Sequence, residues 1–104
     1  MQHTVIFTPE ALEQVSSLYR YIAIAASPGI AERYTGAIVT FCEGLRDIPL
    51  VGILRDDLRP GLRITNFKKR AVIAYAVGKG RVSIIGIFYG GQDYEAAMQD
   101  DTEL

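Results

Sequence analysis

Histidine, cysteine and tryptophan are almost missing from this chain: of 104 residues one is His, one is Cys and none is Trp. The lone Cys42 cannot close an intramolecular disulfide and has no second thiolate at metal-ligand spacing. Both a disulfide framework and a thiolate zinc site are thereby excluded. Nucleophilic triads need a base of near-neutral pKa, and the sole imidazole, His3, sits at a chain end, where it reads as an exposed terminal side chain. Cys42 lies next to Phe41 within an apolar helical pattern and reads as a small buried thiol rather than a reactive one.

Other absences narrow the class further. The start, Met1 to Phe7, has no basic region followed by an apolar stretch and a small-residue cleavage site, so no secretory signal is expected. No apolar run approaches the roughly 20 residues needed to span a bilayer, so no membrane role is expected and a reducing cytoplasm is the expected compartment. No phosphate loop is present, because Gly78-Lys79-Gly80 lies between strand patterns and reads as a turn. Asp56-Asp57, an adjacent acidic pair, is flanked by Arg55 and Arg59 and reads as a locally neutralised, solvated turn rather than an acid/base pair. No metal or cofactor is expected.

What is present is one domain, residues 1–104, with 49% hydrophobic residues. A chain of this length buries only roughly 65% of its unfolded surface, enough for one core but not for a cleft between lobes. Thr4 to Phe7 reads as a strand, and Thr8-Pro9 as the cap and first turn of a helix. Leu12, Val15, Leu18, Ile22 and Ala26 then mark one helical face. Ser27-Pro28 repeats the punctuation. Ile30, Tyr34, Ile38, Phe41, Leu45 and Ile48 mark a second helix, ending at Pro49 and forming an antiparallel hairpin with the first.

Residues 50–61 read as an irregular exposed connector. Leu62 to Phe67, Ala71 to Val77 and Val82 to Tyr89 follow as strands separated by short turns, and Tyr94 to Met98 as a short helix. The expected class is α+β: an N-terminal strand, a helical hairpin, a three-stranded antiparallel meander completing one sheet, and a short C-terminal helix. An acidic tail over about residues 99–104 is expected to be flexible.

The formal charge of −1 conceals a strong asymmetry. Between positions 55 and 81 there are eight basic residues, Arg55, Arg59, Arg63, Lys68, Lys69, Arg70, Lys79 and Arg81, against Asp56 and Asp57, a local +6. The last twelve residues carry Asp93, Glu95, Asp100, Asp101 and Glu103, a local −5. A cationic rim along the sheet either discourages strand addition or docks an acidic partner or a nucleic-acid backbone.

Several short motifs occur in order: Phe7-Thr8-Pro9-Glu10-Ala11, Tyr21-Ile22, Ser27-Pro28 leading to Ala31, and Leu45 followed by Ile48-Pro49 and Gly52. Arg59-Pro60-Gly61-Leu62-Arg63, Ile73-Ala74-Tyr75-Ala76-Val77 and a last strand closing on Gly90 and Asp93 complete the series. In this succession, over roughly residues 4 to 94, the chain resembles the ParE toxins of bacterial type II toxin-antitoxin modules, within the RelE/ParE superfamily. It departs from the usual ParE ending, where His and Arg commonly stand at the positions of Tyr89 and Gln92.

The resemblance implies a toxin held inactive by a cognate antitoxin in a hetero-oligomer, with DNA gyrase as target and growth arrest as outcome. Direct, sequence-specific nucleic-acid binding is not implied. Target contacts are then expected at Arg59, Arg63, Lys68, Lys69, Arg70, Arg81 and Tyr89. Antitoxin contacts are expected at Leu18, Tyr21, Ile22, Tyr34 and Ile38 and at an exposed sheet edge. No catalytic residue is expected on this reading. The alternative is a RelE-like, ribosome-dependent mRNA endonuclease using Arg63, Arg81 and Tyr89, and a blander one is a degenerate toxin that only binds its antitoxin.

Overall fold

Thr8 stands at the junction that starts the fold. In the computed structural model, which describes residues 3–99, its hydroxyl accepts from the Ala11 N–H at 3.2 Å and donates to the Ile84 carbonyl at 3.0 Å. One side chain thus caps the first helix and ties it to the last strand. The elements are β1 (Thr4–Phe7), α1 (Pro9–Ala25), α2 (Pro28–Gly44), β2 (Ile53–Leu54), β3 (Leu62–Phe67), β4 (Ala71–Gly78), β5 (Arg81–Tyr89) and α3 (Tyr94–Met98). Ser27 caps α2 by accepting from the Ile30 N–H at 3.1 Å, and Pro9 and Pro28 occupy the first helical turns, where a missing N–H costs nothing.

The five strands form one sheet in the order β1-β5-β4-β3-β2. β3, β4 and β5 make the antiparallel meander, while β1 pairs in parallel with β5, Thr4 opposite Arg81 through Phe7 opposite Ile84. The α1–α2 hairpin lies between β1 and the meander in sequence, long enough to let a parallel edge form. Its apolar stripes cover one sheet face. Leu18, Ile22, Ala31, Ile38, Cys42 and Leu45 pack there with Phe67, Ile73, Tyr75, Val82, Ile84 and Ile87.

A smaller cluster of Leu58, Leu62, Ile64, Ala74, Phe88 and Met98 covers the other face, which explains why β4 is buried on both sides over Ile73, Ala74 and Tyr75. A bulge at Ile85 shifts the register between Ala74/Gly86 and Tyr75/Ile84. Gly86 then leaves the space that Phe88 fills: a Cβ there would lie 2.7 Å from Phe88 Cε2.

The second helix ends earlier than its periodicity implies. α2 stops at Gly44, and the chain continues in tight turns, with Leu45 N–H on the Cys42 carbonyl and Ile48 N–H on the Leu45 carbonyl. Glycine is a poor helix residue and lets these three-residue bonds take over. The turn still carries Leu45 into the core, whereas Ile48, like Leu12 and Ile30 on the expected helical faces, is exposed. Within the connector, Ile53 and Leu54 pair with Ile64 and Arg63 as a fifth, two-residue strand that composition does not announce. Gln99 is exposed, and the remainder of the expected flexible tail lies outside the described residues.

Arg55 fastens the C-terminal helix. Its guanidinium makes a two-pronged pair with Asp57 at 2.9 and 2.8 Å and reaches Glu95 at 3.0 Å and the Tyr94 hydroxyl at 3.1 Å. Those hydrogen bonds hold Arg55 above its ordinary pKa, and Arg55 in turn holds Asp57 below the usual carboxylate range. Asp56 is spent on the turn itself, accepting from the Gly61 N–H at 2.8 Å. The acidic pair is therefore structural in use.

Candidate functional site

The turn between β3 and β4 has an unusual backbone for its residues. Arg70 N–H donates to the Phe67 carbonyl at 3.1 Å, and both central residues, Lys68 (φ 52°) and Lys69 (φ 61°), lie in the left-handed region. Such hairpin turns are ordinarily built from Asn-Gly or Asp-Gly, because an L side chain there costs roughly 1 kcal/mol per residue. Lys68, Lys69 and Arg70 are all exposed, and none makes a salt bridge among the described residues. The Lys68 ammonium rests 5.4 Å from the centroid of the Phe67 ring. Three cations are thus displayed on a strained loop with no salt bridge among the described residues.

Behind the turn runs a series of aromatic contacts, tilted from Phe41 to Phe67 at 5.4 Å, then edge-on from Phe67 to Tyr34 at 5.8 Å and from Tyr34 to Tyr89 at 5.6 Å between ring centroids. The Tyr34 hydroxyl is covered and has no hydrogen-bond partner among the described residues. Burial raises its pKa, and Tyr89 adds to the rise while Arg70 opposes it, so the hydroxyl stays protonated.

Past Tyr89 the chain meets the turn again, with Gly90 N–H on the Arg70 carbonyl at 3.1 Å, and opens onto a cleft of about 470 Å³ between α1 and the end of β5. Gln14, Ser17, Tyr21, Tyr89 and Gln92 supply its polar lining. Beyond its four pairs with β1, β5 has an unpaired edge, and two glutamines satisfy it. Gln14 Oε1 accepts from Ile87 N–H and Gln92 Oε1 from Tyr89 N–H, each at 2.7 Å. Because a backbone N–H can only donate, it fixes which amide atom faces it. The two Nε2 groups therefore remain as donors beside the cleft.

The remaining residues expected at target contacts are scattered. Arg63 donates to the Gly52 carbonyl at 2.8 Å and the Leu50 carbonyl at 3.3 Å, holding the connector, and Arg59 sits half-buried on the 55–61 loop. Arg81 is exposed at the β4–β5 hairpin, beside a shallow hollow of about 360 Å³ that includes Lys79 and Ser83. Arg81 and Tyr89 occupy the two ends of β5, roughly 25 Å apart at strand spacing. Lys68, Lys69, Arg70 and Tyr89 are the subset that comes together.

Of the residues expected to meet an antitoxin, Leu18, Ile22 and Ile38 belong to this chain's own core, Tyr34 is half-buried, and Tyr21 is 63% exposed. Gln14 and Ser17 had no signal beyond being polar positions within the turns around Leu18. Cys42 is fully buried and pushed up to about 12 by burial first and Glu43 second, which makes it inert as a thiolate. Among the described residues no group of three His, Cys, Asp or Glu could hold a metal, and no helix is long and apolar enough to cross a membrane.

The backbone has known counterparts. It is similar to a chain of the chromosomal ParDE toxin-antitoxin system of P. aeruginosa, with a TM-score of 0.75, 18% identity, and coverage of 85% of this chain and 96% of that one. It is also similar to a chain of the RelBE2 toxin-antitoxin complex of Mycobacterium tuberculosis, with a TM-score of 0.66, 24% identity, and coverage of 86% and 100%. At those identities the likeness establishes the fold. No curated protein matches the chain. The family model described as the ParE toxin of the type II toxin-antitoxin system, parDE, matches residues 5–94, from β1 into the start of α3, and the chain therefore belongs to the ParE toxin family.

Proposed function

We propose that this ParE-family toxin arrests growth by binding DNA gyrase, without catalysing a reaction of its own, and that a cognate antitoxin neutralises it in the cytoplasm. The observation that carries the proposal is the family match across residues 5–94. What supports a binding rather than a cleaving protein is the disposition of the alternative ribonuclease set. Arg63 is engaged with two carbonyls, and Arg81 and Tyr89 stand at opposite ends of one strand. General acid, general base and charge-stabilising groups must converge on one phosphate to cleave RNA.

The apolar surface left uncovered supports an antitoxin. Tyr21 and Ile24 on α1 are 63% and 87% exposed, and Ile48, Leu50, Val51, Ile53 and Leu54 form an exposed run along the β2 edge. Such patches on a small monomer are where a partner's helix or strand gains most by burial.

The test is purified toxin added to gyrase in supercoiling and DNA-cleavage assays. Loss of supercoiling with accumulation of cleaved DNA is expected. Unchanged gyrase at saturating toxin rejects the target, and ribosome-dependent mRNA cleavage lost in Arg81→Ala and Tyr89→Phe would replace it with the nuclease.

A further inference from the structure

We propose that the Lys68-Lys69-Arg70 turn and the adjoining α1–β5 cleft form a non-sequence-specific site for single-stranded nucleic acid. Phosphates lie on the three cations, and an unpaired base lies in the cleft against Tyr21 and Tyr89. This inference goes beyond the gyrase reading and does not depend on it.

Four observations converge on one end of the molecule. The three cations have no anionic partner among the described residues, so their field is available to a polyanion. The two lysines are kept in a backbone region that Asn and Gly would occupy at lower cost, and strain retained at an exposed turn points to what the side chains present. The cleft is contiguous with the turn through the Gly90–Arg70 hydrogen bond, and its volume of about 470 Å³ falls in the range of small-ligand sites, roughly 300–1,000 Å³.

The chemistry of the cleft wall supplies the fourth. Gln14 and Gln92 each spend Oε1 on a strand N–H, leaving their Nε2 donors for the ring nitrogens and carbonyl oxygens of a base. Tyr21 is largely exposed, and Tyr89 sits at the cleft with its other side held by Tyr34, so flat aromatic surface is available for stacking. An acidic peptide would use the cations but would leave the aromatic wall and the paired donors without purpose. A duplex would keep its bases stacked away from the cleft.

The test is fluorescence anisotropy of a labelled, mixed-sequence single-stranded DNA oligonucleotide with the full-length chain, with circular dichroism confirming that each variant is folded. Binding is expected to weaken about twentyfold between about 50 and about 200 mM salt, as release of counterions from three phosphates requires. Lys69→Glu should weaken binding at least about fivefold, Tyr21→Ala about tenfold, and Lys79→Glu, at the far end of β4, less than about twofold.

Absence of binding at low salt overturns the proposal, as does equal loss in Lys69→Glu and Lys79→Glu, which would mean diffuse charge. Full binding by Tyr21→Ala overturns the cleft as the base site. Displacement of the oligonucleotide by poly-glutamate at equal charge concentration overturns the nucleic acid in favour of an acidic protein. Gyrase is absent from the experiment, so its outcome is separate from that of the gyrase assays.

Discussion

The Tyr75 hydroxyl accepts a hydrogen bond from the Gly52 backbone N–H at 2.9 Å, in the fully buried part of the sheet. It reaches the connector across β3, and the fit is close: a Cβ on Gly52 would lie 2.7 Å from that hydroxyl and 2.9 Å from the Ile64 carbonyl. Tyr75→Phe leaves a buried N–H unpaired and should cost about 1–3 kcal/mol, read in urea unfolding with an unchanged m-value. Gly52→Ala should be at least as harmful, because neither the hydroxyl nor the carbonyl can retreat without losing a bond.

Gly86 makes a second close fit. Its absent Cβ would fall 2.7 and 2.8 Å from two ring atoms of Phe88, which is itself buried under α3 with Met98. Gly86→Ala is expected to cost about 1–3 kcal/mol by forcing the ring aside. In a domain of this size each kcal/mol corresponds to roughly 4–8 °C of Tm, which scanning calorimetry resolves.

Alkaline pH should unfold the protein through groups that burial keeps protonated. Cys42 is raised from 9.0 to about 12, so the unfolded chain loses that proton first, and stability present below pH 9 is lost as pH rises toward 12. Tyr34 and Tyr75, both raised from 10.0 chiefly by burial, act in the same direction above pH 10. Cys42→Ala should lower stability at neutral pH yet flatten its decline above pH 9, as seen in denaturant titrations at several pH values.

The strained turn predicts a stability gain from loss of charge. Lys68→Asn with Lys69→Gly places the residues this backbone favours at φ 52° and 61° and should stabilise the fold by about 1 kcal/mol. The same variant should bind the oligonucleotide poorly. A variant that is more stable and still binds would separate the strain from the ligand.

Much of the fold was legible because its signals are local. Thr8 and Ser27 announce their helices through hydrogen bonds only three residues long, and the strands of the meander are bounded by their own turns. The parallel β1–β5 edge joins residues 77 apart, such as Thr4 and Arg81, and nothing in either segment names the other. The site was harder for the same reason. Lys68 to Arg70 stand out as charge, but Gln14 acquires its role only when Ile87, 73 residues away, arrives beside it. Periodicity also cannot tell an apolar stripe that fills the core from one offered to a partner. Leu18, Ile22 and Ile38 fill the core, whereas Tyr21 is left exposed.

The two glutamines bonded to the edge of β5 bear also on self-association. An unpaired strand edge invites a neighbouring chain to continue the sheet, and filaments grow from such edges. Here the free half of β5 already has its Ile87 and Tyr89 N–H groups occupied, so an incoming strand would have to evict two amides before gaining its first bonds. The opposite edge, β2, is only two residues long. Neither end of the sheet therefore offers a long, open ladder for a second chain to extend.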